Sequence, residues 1–123
     1  MEAEIQVADL IAVVDGITSA YNDKDWAQLE GALAPDLAFA HNNRGVTTKT
    51  AAEFLALLRK TVDEMLPDRH FKPADRIQQI GNIVVREGYW AADAVVDSPR
   101  VMKLCTVLRF NDDGLLAEWS DYG

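Results

Sequence analysis

Apolar residues recur three and four positions apart through much of the first half of this chain and at every second position through most of the second half, so helices precede a run of strands. From about Ala3 to Tyr21, the residues Val7, Leu10, Ile11, Val14, Ile17 and Tyr21 give one helix a single apolar stripe. Asn22 and Asp23 break that pattern, and Asp23 is placed to cap a second short helix with Trp26, Leu29 and Leu33 on one side. Ala34-Pro35-Asp36 stops it, because proline lacks the N–H donor and disfavours helix in the residue before it. Leu37 to Asn42 alternates as a first strand, with Leu37, Phe39 and His41 on one face and Ala38, Ala40 and Asn42 on the other. A polar loop with Arg44-Gly45 follows. Thr50-Ala51-Ala52-Glu53 then has the spacing of a capping box, and Phe54, Leu58, Thr61, Val62 and Met65 carry a third helix to about Leu66, ended by Pro67.

The remainder reads as strands around His70 to Lys72, Asp75 to Ile80, Asn82 to Glu87, Tyr89 to Val96, Val101 to Phe110 and Leu115 to Tyr122. Asn111-Asp112-Asp113-Gly114 is a hairpin turn whose glycine supplies a positive φ, and Asp97-Ser98-Pro99-Arg100 is a second turn. This order predicts an α+β fold: three helices from the N-terminal half packed on a curved, mostly antiparallel β-sheet, together enclosing a cone. At 123 residues the chain has material for one hydrophobic core, so residues 1–123 are expected to form a single domain. The half-open interior of such a cone is a natural site for a hydrophobic small molecule.

Charge and motif content narrow the function. Twelve Lys and Arg against 20 Asp and Glu give a net charge of −8, the wrong sign for nucleic acid or an anionic membrane. One cysteine, Cys105, and two histidines are too few for a disulfide or a standard zinc pattern. The sequence has no glycine-rich phosphate loop, Rossmann fingerprint, G-x-S-x-G elbow or zincin motif, so no cofactor and no metal are expected. Met1 to Asp9 carries three acids and no base, unlike a secretory signal, and no apolar run approaches the roughly 18 to 20 residues of a membrane span, which makes the cytoplasm the expected location.

Two side chains stand out for chemistry. In the last strand Leu115, Ala117, Trp119 and Asp121 share one face, with Leu116, Glu118, Ser120 and Tyr122 on the other, so a carboxylate falls on the apolar side. There it has the desolvation that raises a carboxyl pKa toward general acid/base range; the alternative is a solvated or structurally bonded group at the chain end. His41 occupies the equivalent position on the first strand, as a proton carrier or oxyanion donor, or else as a satisfied rim histidine. The pocket wall is expected from Tyr21, Phe39, Phe54 and Leu58, with His70, Trp90, Leu104 and Trp119 on later elements. Trp26 is a further aromatic candidate, the alternative for all the aromatics being plain core. Asp93 reads as outward-facing or set against a partner subunit, and Cys105 as a small sheet residue.

Four stretches carry a family resemblance: Ala20-Tyr21-Asn22-Asp23-Lys24-Asp25-Trp26, Leu33-Ala34-Pro35-Asp36-Leu37-Ala38-Phe39, Pro67-Asp68-Arg69-His70-Phe71 and Asp113-Gly114-Leu115-Leu116-Ala117-Glu118-Trp119. Together they resemble the nuclear transport factor 2-like superfamily over nearly the whole chain, and within it the SnoaL-like polyketide cyclases and ketosteroid isomerase-like proteins. The resemblance implies a homodimer, and Asp121 matches the late-strand acid/base aspartate of the cyclases. His41-Asn42 stands where the isomerases carry their basic aspartate, and Ile17 near their oxyanion tyrosine. The Arg-x-Asp pair of the epoxide hydrolases is replaced by Ala91-Ala92-Asp93, which keeps the acid and loses the arginine. The expected function is a cofactor-independent acid/base enzyme, of cyclase, isomerase or dehydratase type, acting on a hydrophobic carbonyl compound. The alternative is a non-catalytic small-molecule-binding or assembly domain of the same fold.

Overall fold

The computed structural model describes residues 9–64, 66–92 and 100–123. Helix α1 (Leu10–Asn22) begins where the Asp9 carboxylate accepts the Ala12 N–H at 3.1 Å, and it buries Leu10, Val14, Ile17 and Tyr21 on one stripe. The expected turns of this helix before Asp9 lie outside the described residues. Helix α2 (Trp26–Gly31) is capped by Asp25 rather than Asp23, because Asp23 still bonds back to Ser19 as the end of α1, and Lys24, at φ 58°, turns the chain away. Leu33 belongs to the first strand, β1 (Leu33–His41), and not to α2. Pro35 is tolerated there because the pairing of β1 with the last strand shifts register between Leu33 and Ala38, so its missing N–H breaks no regular ladder.

A short strand, β2 (Val46–Thr48), replaces part of the expected polar loop and pairs antiparallel with the end of β1, His41 opposite Val46. Helix α3 (Ala51–Glu64) starts on the anticipated cap: Thr50 Oγ1 accepts the Glu53 N–H at 3.1 Å, while the Glu53 carboxylate reaches back to the Lys49 N–H at 2.8 Å. It ends two residues before Leu66, which is buried, and Met65 is outside the described residues.

The strands β3 (His70–Phe71), β4 (Arg76–Ile80), β5 (Ile83–Ala92), β6 (Arg100–Phe110) and β7 (Leu116–Tyr122) complete a curved sheet in the order β2-β1-β7-β6-β5-β3, with β4 also paired to β5. All pairings are antiparallel except β1 with β7, which run parallel. The Asn111–Gly114 hairpin closes as expected, with Gly114 at φ 78° and Asn111 Oδ1 accepting the Asp113 and Leu115 N–H groups at 3.0 Å. Asp93 and most of the Asp97–Arg100 turn lie outside the described residues. Among the described residues no helix is long and apolar enough to cross a membrane.

Two strands had been expected where β5 is one. Gly88 does not interrupt it; the residue pairs with Leu104 and continues the ladder. Its lack of a side chain serves a close approach instead. A Cβ there would sit 3.0 Å from Arg86 Nη1 and 3.3 Å from the Ala74 Cα, where the segment joining β3 to β4 arches across the strand. The buried Arg86 fills that arch and donates to the Lys72 carbonyl, and burial lowers its guanidinium pKa against the opposing charges of Asp15 and Asp75. Gly88→Ala is therefore expected to cost about 1 kcal/mol net, overpacking offset by the loss of glycine's backbone entropy. Urea denaturation checks this, and an unchanged midpoint would show that the arch yields freely.

Candidate functional site

The inner faces of β1, β5 and β7 and the facing side of α3 enclose a cavity of about 150 Å³. Its wall is a chain of aromatic rings. Phe39 packs 4.9 Å from Phe54, Phe54 lies 5.2 Å from Trp119, and Tyr21 lies 5.2 Å from Phe71, centroid to centroid. Asn22, at the end of α1, fastens β3 beside this wall: it accepts the Phe71 N–H at 2.7 Å and donates to the Phe71 carbonyl at 2.9 Å.

Asp121 enters from β7 and is 4% exposed. A β-bulge puts it there. Arg109 pairs with Glu118 but Phe110 pairs with Leu116, so Ala117 is an extra residue, and Leu116, Trp119 and Asp121 all end up buried on the inner side. Leu116 was expected on the outer face; the bulge reverses its side. The chain end is tied down, because Asn42 donates both its backbone and its side-chain N–H to the Asp121 carbonyl at 3.0 Å. The carboxyl group accepts the Thr106 hydroxyl at 2.7 Å and the Trp119 indole N–H at 2.9 Å, both on Oδ1. Oδ2 accepts no hydrogen bond from the described residues. Burial raises the carboxyl pKa above its ordinary value; the two hydrogen bonds and the charges of His41 and Arg69 oppose the shift without cancelling it.

His41 is the register partner of Asp121 across the parallel β1–β7 pair and lines the same cavity. Its Nδ1 is buried with no hydrogen-bond partner among the described residues. Tyr21, Phe39, Phe54, Leu58, Trp90 and Trp119 also line the cavity. His70 and Leu104 do not. In the two-residue strand β3 it is Phe71 that turns inward, while His70 Nδ1 lies 2.8 Å from the Asp68 carbonyl oxygen. Leu104 is buried opposite Gly88, away from the cavity, and Trp26 packs edge-on against Tyr21 without reaching it.

The sequence does not single out Arg69 or Arg44 for the site. Arg69 stands in the Pro67–Phe71 stretch already singled out, but two strand residues are too few to show an alternation. Its guanidinium donates to Tyr21 Oη at 3.0 Å and lies 4.5 Å from the Trp90 ring centroid. Burial pushes the Tyr21 phenol pKa up, opposed by Arg69, so the hydroxyl keeps its proton. Alternation places Thr106 on the apolar face of its strand, and the bulged register sets it opposite Asp121.

The comparisons agree with this architecture. A Catenulispora acidiphila protein with a ketosteroid isomerase-like fold, solved in complex with trimethylamine, superposes with a TM-score of 0.78 at 16% identity, covering 90% of this chain and 84% of that one. An LEH-like epoxide hydrolase of M. tuberculosis gives 0.74 at 23% identity, over 91% and 80% of the two chains. A Shewanella denitrificans protein named as a SnoaL-like polyketide cyclase gives 0.73 at 16% identity, over 90% and 87%. At these identities the likeness concerns the fold. No curated protein matches the sequence. The SnoaL-like domain model matches residues 13–119, nearly the whole described chain, and the protein belongs to the SnoaL-like family of the nuclear transport factor 2-like, ketosteroid isomerase-like fold.

Proposed function

We propose that the protein is an acid/base enzyme that moves a proton on a hydrophobic carbonyl compound held in the cavity, with Asp121 as the acid/base and His41 as its partner or oxyanion donor. The observation that carries this reading is the Asp121 carboxyl: buried, raised in pKa, bonded through Oδ1 alone among the described residues, and placed on an apolar cavity wall that His41 also lines. In the proposed step Oδ2 takes the proton α to the carbonyl, and the C–H electron pair moves into the enolate, whose oxygen is held by a donor on the cavity wall. The proton then returns to the same or another carbon, or the enolate carbon attacks a second carbonyl, whose π pair becomes an alkoxide that takes the proton back from Asp121 as the ring closes. A positioned general base contributes about 10²–10⁴-fold and an oxyanion donor about 10²–10³-fold. The step uses side chains of this chain and requires no cofactor.

The reading is tested by incubating the protein with a panel of cyclic and aryl ketones in deuterated water and following α-deuteration by NMR. Catalysed exchange that rises with pH through an apparent pKa above the ordinary carboxylate value supports it. Ligand binding without exchange on any ketone would leave a binding domain of the same fold.

A further inference from the structure

The charge on the cavity wall runs opposite to the charge of the chain. The protein carries 20 acidic residues against 12 Lys and Arg, yet the lining holds Arg44 and Arg69 against a single acid, Asp121. Arg69 is the informative member. It is half-buried among aromatic rings, 4.5 Å from Trp90, 5.6 Å from Tyr21 and 5.7 Å from Phe71, and among the described residues it forms no ion pair. One of its five N–H groups is taken by Tyr21 Oη. Desolvating a cation among aromatic rings is costly, and a bound anion would offset that cost while filling a planar fork suited to a carboxylate.

We propose that the cavity takes a ligand bearing a carboxylate on a single aromatic ring. The carboxylate pairs with Arg69, Arg44 stands at the exposed rim, and the ring lies against Phe39, Phe54 and Trp119. A space of about 150 Å³ matches one ring, since apolar cavities of about that volume bind benzene. This deepens the acid/base reading by naming the class of its ligand, and it rests on the same cavity being the substrate site.

The test compares phenylacetate with phenylacetamide, which have the same shape and differ in charge, by titration calorimetry. The wild-type protein is expected to bind phenylacetate at least about tenfold more tightly, as a charge-assisted fork is stronger than a neutral hydrogen bond. Arg69→Gln should erase the preference, and Arg69→Lys, which keeps the charge and loses the fork, should retain part of it. Equal or tighter binding of the amide, binding of neither compound, or a preference surviving in a folded Arg69→Gln overturns the proposal. If that variant does not fold, the wild-type pair and Arg69→Lys decide. A protein that prefers the acid yet exchanges no ketone proton retains the anion site and loses the catalytic reading; the opposite result does the reverse.

Discussion

Asp121→Asn is expected to lower proton transfer by about 10²-fold or more while leaving the folded protein at least as stable as the wild type at neutral pH. The two halves of this result have one cause. The amide keeps a carbonyl oxygen for the Thr106 hydroxyl and the Trp119 indole, so both bonds survive, but it cannot accept a proton. The sign of the stability effect follows from the raised pKa. A carboxyl whose folded-state pKa lies above its unfolded value stabilises the fold fully below the unfolded pKa, and that contribution is lost as pH rises through the folded pKa. Above that window the wild type holds a desolvated charge that asparagine does not carry. The difference in melting temperature between variant and wild type should therefore shift in favour of the variant as pH rises from the ordinary carboxylate range, then level off. A variant that is clearly less stable at neutral pH, with exchange intact, would make Asp121 a structural anchor of the chain end.

Phe54→Ala is expected to cost about 3–5 kcal/mol, a large part of the roughly 5–15 kcal/mol that holds a domain of this kind. Phe54 is 0% exposed and is the side chain by which α3 meets the sheet, 4.9 Å from Phe39 on β1 and 5.2 Å from Trp119 on β7. The void would merge with an existing cavity, which leaves little scope for the neighbouring rings to collapse into it. Phe54→Leu should cost much less, because most of the volume is retained. Urea denaturation followed by circular dichroism separates the two. A loss under about 1 kcal/mol for the alanine variant would mean that α3 is held chiefly by its other buried residues, Leu55, Leu58 and Val62.

The features read correctly from the chain are those that depend on neighbours in sequence. The stripe of Leu10, Val14, Ile17 and Tyr21, the Thr50–Glu53 cap and the Asn111–Gly114 turn each rest on a few adjacent residues, and each is present. Alternation also showed that Phe39 and His41 share a face, and that Trp119 and Asp121 share another. Punctuation residues were read less well. Pro35 reads as the end of a helix and sits in a strand, and the two strands expected on either side of residue 88 are one, with Gly88 carrying the ladder through. In both cases the local preference is real, but tertiary context used it for something else: a register shift that spares the missing N–H, and a crossing that leaves no room for a Cβ.

The sequence by itself determined which kinds of element form, where most of them start, and that a carboxylate and an imidazole each close a strand on an apolar face. Only the tertiary structure decided that these two residues line one cavity as register partners. They are 80 positions apart, and their adjacency depends on β1 and β7 pairing in parallel with His41 opposite Asp121, a match that no local pattern specifies. It also depends on the bulge at Ala117, since moving β7 by one residue would turn Asp121 to the other face of the sheet. Arg69 reaches the cavity for the same kind of reason, from a segment too short to show a period and held in place by Tyr21 and the Asn22 fastening of β3. Periodicity is set by bonds between neighbours, whereas register and juxtaposition are set by what the whole core can pack.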